Sequence, residues 1–219
     1  MTLFYQELVK STQSEQQVLP SIAAIQKALN GQLSQQEYLR FLSQAYHHVR
    51  HTVPLLMACG SRLWPRHHWL QGSLAEYIEE EIGHEQWILN DITACGGDPE
   101  LVKFSAPSHE TEMMVAYAYH QIDRGNPIGF FGMVHVLEGT SVTLASLAAQ
   151  SIQDSLKLPD AAFSYLRSHG SLDQEHVQFF ETLMNQVTHV EDQKAIVHCA
   201  KAFYRLYGDI FRAVTSKAK

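Results

Sequence analysis

The stretch from Phe130 to Ala149, FFGMVHVLEGTSVTLASLAA, is apolar on nearly every side and constrains the fold more than any other feature. At helical pitch it makes about five turns with no polar face to turn towards water, so other helices must surround it. Elsewhere apolar residues recur at helical spacing, with no strand-like alternation of any length, no internal repeat and no low-complexity tract. The seven prolines and 12 glycines gather between these stretches, as punctuation does in a helical protein. The predicted fold class is all-α, a bundle of seven to eight helices.

A first helix is predicted over about residues 3–29, bent at Pro20 and stopped by Asn30-Gly31. Ser34-x-x-Glu37 reads as a capping box opening a second helix, which runs to about Gly60 with a kink at Pro54. A third spans Pro65 to Gly96-Gly97, and GGDPELVKFSAPSHE is read as one long loop. A fourth covers about 109–124 and a fifth about 128–155. The sixth follows Pro159 and breaks at His169-Gly170, after which Ser171-x-x-Gln174 caps a segment to about 186; a last helix covers about 190–214.

Over 219 residues, 45% of them hydrophobic, no linker composition appears, which suits one domain spanning 1–219. Sixteen Lys/Arg against 23 Asp/Glu, with no basic cluster, argue against nucleic acid as a partner. The widely spaced Cys59, Cys95 and Cys199 suggest neither a disulfide framework nor a thiolate metal site and fit a reducing cytoplasm. Neither a signal peptide nor a membrane span is read from the sequence.

Three segments carry side chains that packing alone explains poorly. In EEEIGHEQW, Glu81-x-x-His84 puts a carboxylate and an imidazole on one helical face, although a solvated charged face would read the same way. Glu138 sits within the apolar helix, where a carboxylate is costly unless a cation, a basic side chain or a hydroxyl compensates it. His135, one turn earlier, either helps the site or is a satisfied core histidine. In SHGSLDQEHVQFFE, His169-x-x-x-Asp173-x-x-His176 gathers three ligand types on one face; the alternative is a polar helix start with Asp173 complementing the dipole. Mixed oxygen and nitrogen donors of this kind suit iron or manganese, whereas structural zinc prefers a closed, thiolate-rich set.

The order Glu-x-x-His, a lone Glu in an apolar helix, then His-x-x-x-Asp-x-x-His resembles the heme-oxygenase-like di-iron oxidases and oxygenases, relatives of the TenA-type thiaminases and of PqqC. The resemblance runs from about Tyr38 to Phe180. It implies a heme-oxygenase-like helical fold, often a homodimer, with iron, two ions and manganese as the alternative, held by Glu81, His84, Glu138, His169, Asp173 and His176. It further implies dioxygen and a small organic molecule as substrates. Tyr46, Tyr77, Phe130 and Phe131 would wall the substrate pocket, and His47, His51 and His135 would complete the site or line it.

The sequence departs from its relatives in places. Some place a carboxylate seven residues before the third-helix histidine, where this chain has Tyr77; others add a second-helix glutamate, where it has Tyr46, His47, His48 and His51. No histidine precedes His47, which argues against an axial heme ligand on the first helix. The fifth helix has neither the cysteine of a TenA-type thiaminase nor the basic side chains a PqqC-like polycarboxylate site needs. Two readings remain: an iron-dependent oxidase or oxygenase, and a metal-free relative that keeps the fold to bind a ligand.

Overall fold

The computed structural model describes residues 3–216, with side chains throughout except those of residue 143 and residues 169–176. Among the described residues there are eleven α-helices and no strand. Phe131–Leu156 (α9), the predicted apolar helix, lies at the centre, packed along Ser164–Met184 (α10) and Val190–Thr215 (α11). Phe4–Gln16 (α1) and His109–Arg124 (α8) close around α11, and Ala23–Leu29 (α2) packs on both α9 and α11. Gln35–Val49 (α3) pairs with His84–Ala94 (α6), and Thr52–Ser61 (α4) with Gln71–Glu81 (α5).

The larger helix count comes from breaks inside three predicted rods. Pro20 does interrupt the first, through a short 3-10 turn at Leu19–Ser21 that separates α1 from α2. In the second, the break falls at Arg50 and His51 rather than at Pro54. Pro54 therefore lies in the first turn of α4, where its missing N–H has no carbonyl to serve. The third opens as a 3-10 turn over Pro65–Leu70 and divides at Gly83, whose φ of 93° no ordinary residue adopts cheaply. The long loop holds a short helix, Pro99–Phe104 (α7), capped by Asp98 accepting from the amides of Glu100 and Leu101. The expected break at His169-Gly170 is absent: the α10 backbone runs through it, and packing on α9 outweighs the roughly 1 kcal/mol cost of a mid-helix glycine.

The Ser34–Glu37 capping box forms as read: Glu37 N–H donates to Ser34 Oγ at 3.2 Å, and Ser34 N–H to Glu37 Oε2 at 2.8 Å. Gly132 lets α9 touch α11 backbone to backbone, since a Cβ there would lie 2.5 Å from Ala200 N and 2.6 Å from Ile196 O. Further along, the helix axis turns by 45° between Pro127–Val142 and Leu144–Leu156. Thr140 and Ser141 donate their hydroxyls to the carbonyls of Val136 and Leu137, one turn back, which loosens the ladder and bends it. No single helix among the described residues is long and apolar enough to cross a membrane.

Candidate metal and substrate site

Between α3, α4, α5, α9, α10 and α11 lies a cavity of about 70 Å³. Glu81 and Tyr77 reach it from α5, Glu138 from α9, His48 from α3 and Tyr207 from α11, while Leu55, Leu56 and Phe130 supply apolar wall. Two carboxylates from different helices thus face one largely apolar space, the arrangement a cation compensates best. Glu138 stands beside the Tyr77 hydroxyl. Burial first, and then the Glu138 carboxylate, push Tyr77 well above the ordinary phenol range, so its proton stays on oxygen and is donated to Glu138.

The Glu81–His84 pair survives a correction to its setting. The two do not share a helix, because α5 ends at Glu81 and α6 starts at His84. Gly83 turns the chain so that His84 Nδ1 still comes within 3.1 Å of Glu81 Oε2. His84 is buried and stacked on Trp87 at 4.0 Å between centroids, which fixes its ring plane.

Of the expected pocket residues, Tyr77 and Phe130 line this cavity. Tyr46 is buried in the core under α3, edge-on to His47 and capped by Arg50 at 5.7 Å. His47 turns the other way and meets Ser105 Oγ at 3.0 Å, and His51 Nδ1 meets the Tyr119 hydroxyl at 3.2 Å. Phe131 packs on Phe180 in the main core. His135 is held by Thr12 Oγ1 at 3.2 Å and stacked on Phe180, with burial pulling it down to about 4, so it is neutral at physiological pH.

His48, to which the sequence pattern assigns no role, also lines the cavity. A signal for it existed: Tyr38, Leu42, Ala45 and Val49 form the buried stripe of α3, and position 48 continues it from Ala45 where 47 and 51 do not. The side chains of His169, Asp173 and His176 lie outside the described set. Among the described residues, no three His, Cys, Asp or Glu are gathered to hold a metal ion. The described side chains bring two carboxylates and His48 to the cavity, with His84 beside Glu81 but not among the lining residues; oxygen and nitrogen donors are the types that iron takes.

Residues 39–208 match a family model described as "Iron-containing redox enzyme". No curated protein matches the sequence. Among solved structures, a domain with a heme oxygenase-like fold from Shewanella denitrificans is 23% identical, with a TM-score of 0.85 over 94% of this chain and 88% of that one. A TenA homolog from Pseudomonas syringae pv. tomato is 12% identical, with a TM-score of 0.79 over 96% and 92%. Heme oxygenase-1 from the cyanobacterium Synechocystis, solved in complex with heme, is 10% identical, with a TM-score of 0.77 over 98% and 93%. At these identities the likeness is one of fold.

Proposed function

Because the chain belongs to the family of iron-containing redox enzymes, we propose that it is a non-heme, iron-dependent oxidase or oxygenase acting on a small organic molecule. The observation that carries this is the pair of carboxylates, Glu81 and Glu138, converging from separate helices on one apolar cavity beside His48. The proposed ligands are Glu81, His84 and Glu138, completed by His169, Asp173 and His176 of α10; six donors of this kind suit two ions. Iron bound there would supply the electrons that let dioxygen react.

The chain's own groups set the conditions for that chemistry. Leu55, Leu56, Phe130 and Leu137 exclude water and lower the local dielectric, so each carboxylate acts more strongly on a cation than it would in water. Tyr77, kept protonated by burial, donates to Glu138 and holds its orientation. Trp87 stacks on the His84 ring and fixes its plane, with Glu81 beside its Nδ1.

Anaerobic reconstitution with ferrous iron, followed by metal analysis, tests the reading. The wild type is expected to retain iron, and Glu138→Ala to lose it with far-UV circular dichroism unchanged. No uptake by the wild type, or full uptake by Glu138→Leu, would overturn the assignment. A metal-free ligand-binding role is the second reading, favoured by a neighbouring apolar cavity that offers no metal donor; it predicts no iron uptake in any variant.

A further inference from the structure

A second cavity, of about 80 Å³, lies directly against the first. Its walls are hydrocarbon, with Ile25 and Leu29 of α2, Leu144 and Ala148 of α9 and Phe211 of α11 among them. Thr140 and Ser141 also border it, but their hydroxyls are engaged with backbone carbonyls. The two cavities share Ser141, Tyr165 and Tyr207 as a common boundary. Tyr207 stands in that boundary as a partition. Its ring meets His48, which lines only the first cavity, at 5.9 Å, and Phe211, which lines only the second, at 4.7 Å.

One end of this joined space is therefore acidic and the other largely apolar. Carboxylate oxygens accept hydrogen bonds, so the acidic end suits a donor such as a hydroxyl or an amine. Water gains nothing at the apolar end, where it finds no partners, whereas a hydrocarbon chain gains from every group it buries. A boundary set by two tyrosine rings admits an unbranched chain more readily than a branched one.

Resting on the assignment of the carboxylate-lined cavity as the reacting end, we propose that the two cavities form one elongated site for a straight-chain aliphatic molecule. Its hydroxyl or amine head lies in the carboxylate-lined cavity, next to Glu81 and Glu138, and its tail passes Tyr207 into the apolar cavity. Each methylene that enters should raise affinity about fourfold, until the cavity is full.

Isothermal titration of n-alkanols and n-alkylamines of increasing length, against the protein before and after anaerobic loading with ferrous iron, tests this. Affinity is expected to climb with length and then level off at one chain length. Ala148→Phe, which narrows the apolar cavity, should move that plateau to shorter chains; Phe211→Ala, which enlarges it, should move it to longer ones. Thermal melting checks that both variants fold, and the opposite directions of the shifts guard against a general loss of structure. No binding by either series, no plateau, or a plateau that neither variant moves overturns the inference. Iron uptake by a protein indifferent to chain length defeats this inference alone, while a movable plateau in a protein that takes up no iron leaves it standing and defeats the iron reading.

Discussion

Replacing Asp192 by alanine should destabilise the protein by about 4 kcal/mol, because the change strands partners that water cannot reach. The carboxylate, 1% exposed, accepts four hydrogen bonds. Arg66 gives two, at 3.1 and 2.8 Å; His67 Nε2 gives one at 2.7 Å and Asn126 Nδ2 another at 2.7 Å. Arg66 keeps access to solvent and can rehydrate, but His67 is 2% exposed and cannot. A charge-assisted bond contributes about 1.5–3 kcal/mol net, and counting only those from His67 and Asn126 gives the figure above. For a domain of this size that lowers Tm by about 10 °C. Urea unfolding and calorimetry at pH 7 measure it, with Asp192→Asn as the variant of similar shape; a loss below about 1 kcal/mol would refute the reasoning. Burial opposes ionisation of Asp192, yet hydrogen bonds from Arg66, His67 and Asn126 hold it far below the carboxylate range. Its contribution is thus complete above the unfolded value of about 3.9 and is lost as pH falls towards the folded one. Wild-type and variant stabilities should accordingly converge in acid below about pH 4. The knot also bears on the site, since Arg66 and His67 precede α5 with Tyr77 and Glu81, and Asn126 precedes α9 with Glu138.

Gly83→Ala should cost about 1–2 kcal/mol in urea unfolding from the left-handed backbone, since beyond its chain neighbours no atom lies within 4 Å of the added methyl; a neutral result would mean the break between α5 and α6 is not held by this residue. His135 is pulled down to about 4 by burial, so protonation favours the unfolded chain. Its contribution is full above the unfolded value of about 6.5 and shrinks as pH falls towards 4, by about 3 kcal/mol across that window. Urea midpoints from pH 7 to 4.5 should therefore decline less steeply in His135→Phe than in the wild type, and parallel profiles would exclude His135 as the source.

The helix content and the central place of α9 were legible because both rest on periodicity and composition. So was the start of α3, where Ser34 and Glu37 satisfy each other's backbone amides locally. The break at Gly83 was not legible, since EYIEEEIGHEQW keeps a helical pattern across it and only the backbone dihedral distinguishes a tolerated glycine from a turn. The reverse holds at Gly170, where sequence suggests a stop and packing on α9 carries the helix through. Glu138 could be singled out because a charge in an apolar run stands out in any window. His48 is separable from Tyr46, His47 and His51 only through the rotational phase of α3, which its buried stripe supplies, because a one-residue step turns a side chain by about 100°. Tyr207 joins the same cavity from far along the chain, through a tertiary contact with no local trace.

The bend in α9 divides that helix into two mutational territories. Up to Gly132 it is locked against α11, with no room for even a methyl group, and Glu138 follows within two turns on the same straight segment. Beyond the bend, alanines 145 and 148 border the apolar cavity, and Leu147 faces solvent. Substitutions in the first half disturb the backbone that carries the carboxylate, whereas those in the second reshape a cavity and leave that carboxylate where it is. A lineage drifting through the second half could exchange one ligand for another while keeping its chemistry, which is the freedom a redox scaffold needs to diversify.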